Sequence, residues 1–295
     1  MLLSGFIRLT RITPHLLAMW NGWMIAGIIH HVFGFRKREA RSRIREVFPD
    51  LPEKDVRRIA WRSFRNLAFN AIEIIRAPSL SSAWESKYMD CEKTMDDIQA
   101  YTDTGRGVIV ALVHAGNWDL AGVIASRRSI PAAFIARSQK NPLTNKFVNE
   151  MRSLRGSVIV DRDDPRFLPK VLEQLNAGKA LAILIDLRSK TNVPDAEYLG
   201  KPANLSAGIV MIAQHARVPI LPMALVRDGW FGHRWLPMKP IETQAGKNKK
   251  QERAEVLQAL LDQFSGFVMD NPEQYFWYNK RWVLEPFEDM GTETD

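Results

Sequence analysis

Six histidines occur in the 295 residues, and one of them has neighbours that make chemistry possible. His114 follows the apolar run Gly107-Val108-Ile109-Val110-Ala111-Leu112-Val113 and opens the hexapeptide His114-Ala115-Gly116-Asn117-Trp118-Asp119. Such a run predicts a strand buried on both faces, and open parallel sheets hold their ligands at the carboxyl ends of such strands. Asp119 lies five positions on. Along one helix, i and i+5 point about 140° apart, so the two side chains meet only if the Ala-Gly pair turns the chain. After that turn Asp119 falls in the first turn of the next helix and faces back towards the imidazole. A carboxylate there can hold one ring nitrogen protonated and leave the other to remove a proton from a hydroxyl. The same spacing also fits a structural histidine with Asp119 as a helix cap.

The rest of the inventory narrows the chemistry. No Gly-x-Ser-x-Gly elbow is present and the one cysteine, Cys91, lies outside the hexapeptide, so no protein nucleophile is evident. His30-His31 belongs to an apolar segment, His215 ends a helical stretch, and no His-Glu-x-x-His or cysteine cluster occurs; neither a metal nor another cofactor is expected. Asp186 directly follows a second apolar run, Ala180 to Ile185, and so shares the location of His114. Its part in the cleft, a helix cap and a pairing with Arg188 are all open. An acid–base pair without its own nucleophile suits direct transfer, in which an acceptor hydroxyl attacks the donor.

These side chains need a frame. Apolar runs at 107–113, 180–185 and 218–225, with shorter ones at 132–136 and 157–160, alternate with helix candidates at 117–127, 142–154, 165–177 and 205–215. A last helix spans about 250–270. The alternation predicts an α/β fold with a mostly parallel central sheet and flanking helices. Before it, Arg36 to Val47 and the stretch from Pro52 to Arg76 read as two basic amphipathic helices, whose arginines suit either solvent or anionic lipid headgroups. The expected division is 1–35, a membrane anchor or interfacial helix; 36–78, the basic helices; and 79–295, the catalytic-sized α/β domain.

The net charge of +8 is unevenly placed. Residues 1–76 carry 14 Lys/Arg against 6 Asp/Glu, while the other 219 residues carry 27 of each sign. A nucleic-acid binder would spread its basic residues over the main domain, so nucleic acid is not an expected partner. From Ile12 to Phe35, 24 residues pass without a formal charge, and Arg36, Lys37, Arg38, Arg41, Arg43 and Arg45 follow. As a helix the run is about 36 Å long, enough to cross a hydrocarbon core, although His15, Asn21 and the two adjacent histidines also suit a helix lying in the headgroup plane. The basic exit puts the remainder on the cytoplasmic side. A single cysteine agrees with a reducing compartment.

The hexapeptide resembles the H-x4-D/E motif of the bacterial lipid A biosynthesis acyltransferases of the late lauroyl- and myristoyl-transferase type. Further matches follow in that family's order: Arg137 with Asn141-Pro142, Arg155-Gly156, Asp161-Arg162, Asp186, Tyr198-Leu199-Gly200-Lys201-Pro202-Ala203, Arg227, and Pro272-Glu273-Gln274-Tyr275-Phe276-Trp277. The family commonly ends Trp-x-His-Arg-Arg-Phe, where this chain has Trp277-Tyr278-Asn279-Lys280-Arg281-Trp282, and Leu187 stands where a Gln is common. These departures bear on acyl chain and acceptor rather than on the reaction.

The resemblance implies a glycerolipid-acyltransferase-like fold. It also implies a thioester donor, acyl carrier protein or acyl-coenzyme A, and a glycolipid acceptor, foremost a lipid A precursor, at the bacterial inner membrane with the catalytic domain facing the cytoplasm. His114 becomes the general base and Asp119 its orienting acid. Asn117, Arg137, Arg152, Arg155 and Asp186 become substrate-binding residues, with the backbone amides at 115–117 or the arginines receiving the oxyanion and surface ion pairing an equal alternative for the arginines. The rival from another class is a lipid-binding or assembly protein that keeps the fold without catalysis.

Overall fold

The structure is a computed structural model that describes residues 2–136, 157–189, 195–243 and 249–285. Its centre is a seven-stranded sheet formed by β1 (Met89–Asp90), β2 (Val108–Leu112), β3 (Ala132–Ala136), β4 (Val158–Asp161), β5 (Ala180–Leu184), β8 (Ile220–Asp228) and β9 (Gly232–Pro237). The spatial order is β1-β9-β8-β2-β5-β3-β4, and every neighbouring pair is parallel except the β8–β9 hairpin. A separate two-stranded ribbon pairs β6 (Glu197–Tyr198) with β7 (Lys201–Pro202). The mostly parallel α/β sheet expected from the apolar runs is therefore present. The candidate helix at 142–154 lies outside the described residues.

Strand β2 shows why those runs had to be apolar throughout. Ile109 and Ala111 belong to the core on one face of the sheet, and Val108, Val110 and Leu112 to the core on the other. The second face is covered by helices Glu92–Asp103 and Trp118–Arg127; the first receives helices Phe167–Asn176, Gly208–Ala216 and Lys249–Asp270 together with the basic helices. Because a strand's side chains alternate between faces, a polar residue anywhere in β2 would meet a packed layer.

The N-terminal region departs from expectation. The uncharged run is not one helix but the end of Leu2–Ile12, a second helix His15–Gly27 and a π-helical turn Ile28–Val32. Pro14, which lacks a backbone N–H, interrupts the hydrogen-bond ladder between the first two. Gly34 and Arg36, both with positive φ, reverse the chain before the next helix, which stands at 87° to His15–Val32. Among the described residues no single helix is long and apolar enough to cross a membrane. Ala18, Met19, Gly22 and Ala26 pack inward, whereas Ile12, Leu16, Leu17, Trp20, Ile28, Val32 and Phe33 are exposed.

The two basic helices are Lys37–Val47 and Glu53–Arg76, as the sequence predicts, but some of their arginines are structural. Buried Arg43 donates to the carbonyls of Trp277 and Asn279, at 2.9 and 2.7 Å, and pairs with Glu285. Arg76 donates to the carbonyls of Thr10 and Thr13. A guanidinium that satisfies buried carbonyls fastens two segments of chain and is not available to lipid.

The helix Glu53–Arg76 has a second role. Ser63, Asn66, Asn70 and Glu73 recur at intervals of three and four, form one polar stripe, and are all buried. Each is used: Ser63 donates to the Tyr275 carbonyl, Asn66 to the Glu273 carbonyl, Asn70 to the Gly116 carbonyl, and Glu73 accepts from Asn117. Residues at this spacing share one helix face, so a single helix grips both the 273–275 segment and the turn that follows β2.

Candidate active site

Strands β2 and β5 run parallel in a register that pairs Val108 with Ala180 and Leu112 with Leu184. Extending the same offset two residues past the paired ends matches His114 with Asp186. The contact follows: imidazole Nδ1 lies 2.8 Å from Asp186 Oδ1, and the His114 backbone N–H donates to Asp186 Oδ2 at 2.9 Å. Asp186 is 1% exposed and the His114 side chain 14%, so the ring is accessible while its partner is not. A carboxylate that already accepts from the backbone accepts the Nδ1 proton as well, which leaves Nε2 as the basic nitrogen. The Trp118 ring stands edge-on to the imidazole at 5.0 Å. Tyr198 and Tyr275 lie fully buried near Asp186; burial and the aspartate charge push both phenols well above their usual range, so they stay neutral.

The turn between His114 and the next helix is held at every amide. Ala115 N–H donates to Val113, Gly116 N–H to Gln274 and Asn117 N–H to Leu225, while the His114 carbonyl accepts from Phe276 N–H. Gly116 has φ +59, and a Cβ there would stand 1.8 Å from the Leu225 carbonyl oxygen, so both conformation and space require glycine. Asn117 then caps the helix Trp118–Arg127 by accepting from Leu120 N–H at 3.1 Å, and its amide donates to Glu73 at 2.7 Å.

This geometry bears on several expectations. The orienting carboxylate recorded on Nδ1 is Asp186, which the resemblance had cast as a substrate-binding residue. Asp119 occupies the first turn of its helix as the spacing predicts. Asn117 is 1% exposed and its side chain is taken up by the cap and by Glu73, so it shapes the turn. The amides at 115–117 are committed to the fold and do not offer an oxyanion hole. Arg137, Arg152 and Arg155 lie outside the described residues.

Behind the turn sits a buried cluster that sequence reasoning missed. Glu73, fully buried, accepts from Arg227 at 2.8 Å and from His233 Nε2 at 3.0 Å as well as from Asn117, and Arg227 also donates to Asn70 at 2.9 Å. Burial acts to raise the Glu73 carboxyl, but the Arg227 charge and the hydrogen bonds of Arg227 and His233 outweigh it and leave it well below the usual carboxylate range. Burial also holds His233 below the ordinary histidine value. The available signal was a glutamate inside the apolar run Phe69 to Ile75, on the stripe begun by Ser63.

The cluster sets an acid limit on stability. Unfolded, His233 takes up a proton near pH 6.5 while the folded protein resists it, so stability present above that pH falls as acid is added. Glu73 adds a second loss below about 4.5, where the unfolded carboxyl protonates first. Melting temperatures between neutral pH and about pH 4 are expected to fall in those two stages. A flat profile across that range would contradict the cluster.

Among the described residues no three His, Cys, Asp or Glu side chains converge as a metal site would require. What the arrangement can do is move a proton: an oriented imidazole at a strand end, beside an aromatic ring.

Comparison with known proteins gives the family. Residues 1–283 match the family described as bacterial lipid A biosynthesis acyltransferase. A phosphatidylinositol mannoside acyltransferase of Mycolicibacterium smegmatis is 24% identical over 217 residues, covering 72% of this chain and 68% of that one. Its namesake from Mycobacterium tuberculosis is 22% identical over 219 residues, covering 72% and 66%. The crystal structure of the 1-acyl-sn-glycerophosphate acyltransferase PlsC from Thermotoga maritima aligns over 70% of this chain and 98% of its own, at 18% identity and a TM-score of 0.36. Since the family match takes in the N-terminal helices, the His114 turn and Asp186 alike, the chain belongs to the bacterial lipid A biosynthesis acyltransferase family.

Proposed function

We propose that this protein transfers a fatty acyl chain from an acyl thioester to a hydroxyl of a phosphate-bearing glycolipid, with acyl carrier protein or coenzyme A as the thiol and a lipid A precursor as the first acceptor to test. The observation that carries the reading is the Nδ1 contact of His114 with buried Asp186. Nε2 takes the proton from the acceptor hydroxyl as its oxygen attacks the thioester carbonyl. The tetrahedral intermediate then expels the thiolate, and the imidazolium returns the proton to sulfur. Asp186 stabilises the imidazolium while it lasts. With the 115–117 amides committed, we assign the oxyanion or the acceptor phosphates to Arg137, Arg152 and Arg155.

The test is product analysis with radiolabelled acyl carrier protein or acyl-coenzyme A, offered a lipid A precursor or a phosphatidylinositol mannoside. An acylated glycolipid is expected. Free fatty acid alone would point to a hydrolase, and tight lipid binding without turnover on any acceptor to an assembly protein.

The site is proposed to work at the cytoplasmic face of the bacterial inner membrane, with the N-terminal helices lying in the headgroup plane. The exposed row Leu16, Leu17, Trp20, Ile28, Val32 and Phe33, together with basic Arg8, Arg38 and Arg41, supports this. Replacing Leu17, Trp20 and Ile28 by glutamine, which leaves the inward residues untouched, is expected to weaken vesicle sedimentation by roughly tenfold or more, since each apolar side chain gains about 1.5–3 kcal/mol when fully buried. Unchanged partitioning would exclude this face as the contact.

A further inference from the structure

A polar cleft of about 250 Å³ opens beside the buried cluster, between the helix Glu53–Arg76, the β8–β9 hairpin and the segment before Tyr275. Arg62 and Arg65 line it from the helix, Arg227 and Trp230 from the hairpin. Its charges do not balance. Glu273 is shared by Arg62, at 2.8 Å, and Arg58, at 3.6 Å, while Glu73 is committed to Arg227. The hydrogen bond of the Arg65 guanidinium goes to the neutral amide oxygen of Asn66, at 2.9 Å, and no carboxylate pairs with it among the described residues. The Nε atoms of Arg65 and Arg227 are buried, and among the described residues neither has a hydrogen-bond partner. Burial, with the charges of Arg227 and Arg62, lowers the affinity of Arg65 for its proton, and the nearby Glu273 carboxylate only partly opposes this.

Crowded, half-desolvated arginines are costly unless an anion joins them, and planar guanidinium groups match the oxygens of a phosphate. The packing behind the cleft also indicates what carries that anion. Phe69 lies between Arg65 and Arg227, its ring 5.4 and 5.3 Å from the two guanidinium carbons, and stacks near Trp230 at 5.1 Å. Phe69 and Trp230 in turn pack with Ala18 and Met19 of the N-terminal helix that exposes Leu17 and Trp20. A site for anionic oxygen is thus built into the same layer as the exposed apolar face, an arrangement suited to an amphipathic molecule. Arg227 further places the cleft at the carboxyl end of β8, the strand beside β2.

We infer that this cleft binds a phosphate monoester, carried by a membrane lipid, through Arg62 and Arg65, with Arg227 held behind them by Glu73. The site is separate from the proton-transfer machinery, and the inference does not depend on the reaction proposed above. The purified full chain is titrated with phosphatidylcholine vesicles containing phosphatidic acid or, at equal mole fraction, phosphatidylglycerol, and separately with inorganic phosphate. Wild type is expected to prefer phosphatidic acid. Arg65→Gln and Arg62→Gln should each lose about tenfold of that preference, the order of one charge-assisted hydrogen bond, whereas Arg57→Gln, an exposed residue paired with Glu53, should keep it. Circular dichroism melts establish that each variant is folded.

Saturable inorganic phosphate binding that is lost in Arg65→Gln, without a lipid preference, would keep the phosphate chemistry but overturn the lipid as its source. Equal losses in Arg65→Gln and Arg57→Gln, or no preference and no phosphate binding in wild type, would overturn the site.

Discussion

Replacing His114 by alanine is expected to lower the acyl-transfer rate by about 10²–10⁴-fold with the fold intact, the usual contribution of a positioned general base. Near-normal transfer by that variant would end the mechanism. Asp186→Asn is the sharper test. One oxygen of Asp186 accepts from the His114 backbone N–H and the other faces Nδ1. An asparagine keeps its carbonyl on the backbone donor and so turns its amide N–H₂ towards Nδ1. That favours the tautomer with the proton on Nε2, where the base is needed. A loss in kcat of at least about 10²-fold is expected, with KM little changed, because orientation rather than binding is altered. Asp119→Asn should cost less. If Asp119→Asn proves the more damaging of the two, the assignment of Asp186 as the orienting carboxylate fails.

The second large effect is on stability. Glu73→Ala removes the acceptor for Arg227, His233 and Asn117 at once and leaves a guanidinium buried to 1% exposure without its counter-charge. Breaking one side of a buried, hydrogen-bonded ion pair costs about 3–5 kcal/mol. That is a large part of the 5–15 kcal/mol by which domains are usually stable. Denaturant unfolding should show this loss. Glu73→Gln, which preserves shape and some hydrogen bonds, should fall between the two. The double variant with Arg227→Met should recover part of the loss, since it removes the stranded charge; no recovery would mean that Glu73 acts through Asn117 and the turn instead.

Much of the sheet and half of the site were legible, for a shared reason. Strands buried on both faces need uninterrupted apolar residues, so β2, β3, β5 and β8 stood out, and a histidine directly after one of them marked the site. The short edge strand β1 and the half-exposed hairpin strand β9 carry no such signature, and β9 is the strand that supplies His233. Asp186 was placed in the cleft but not on the imidazole, because strand adjacency and register are set by the packing of distant segments; 72 residues separate the partners. Asp119 took the role from its spacing to His114 and from the H-x4-D/E resemblance. The break in the N-terminal run was hidden for a related cause: counting uncharged residues measures length but not the interruption at Pro14 or the inward face of Ala18, Met19, Gly22 and Ala26.

The buried stripe on the helix Glu53–Arg76 has a consequence for where reaction can occur. That helix supports the apolar N-terminal helices on one side and, through Asn70 and Glu73, suspends the catalytic turn on another. With the proposed membrane contact it would act as a gauge, setting the height of the imidazole above the surface on which those helices rest. An acceptor whose hydroxyl rides at the wrong depth would miss the base even with correct chemistry, and lengthening or shortening a sugar headgroup would select for or against it without any contact to its rings.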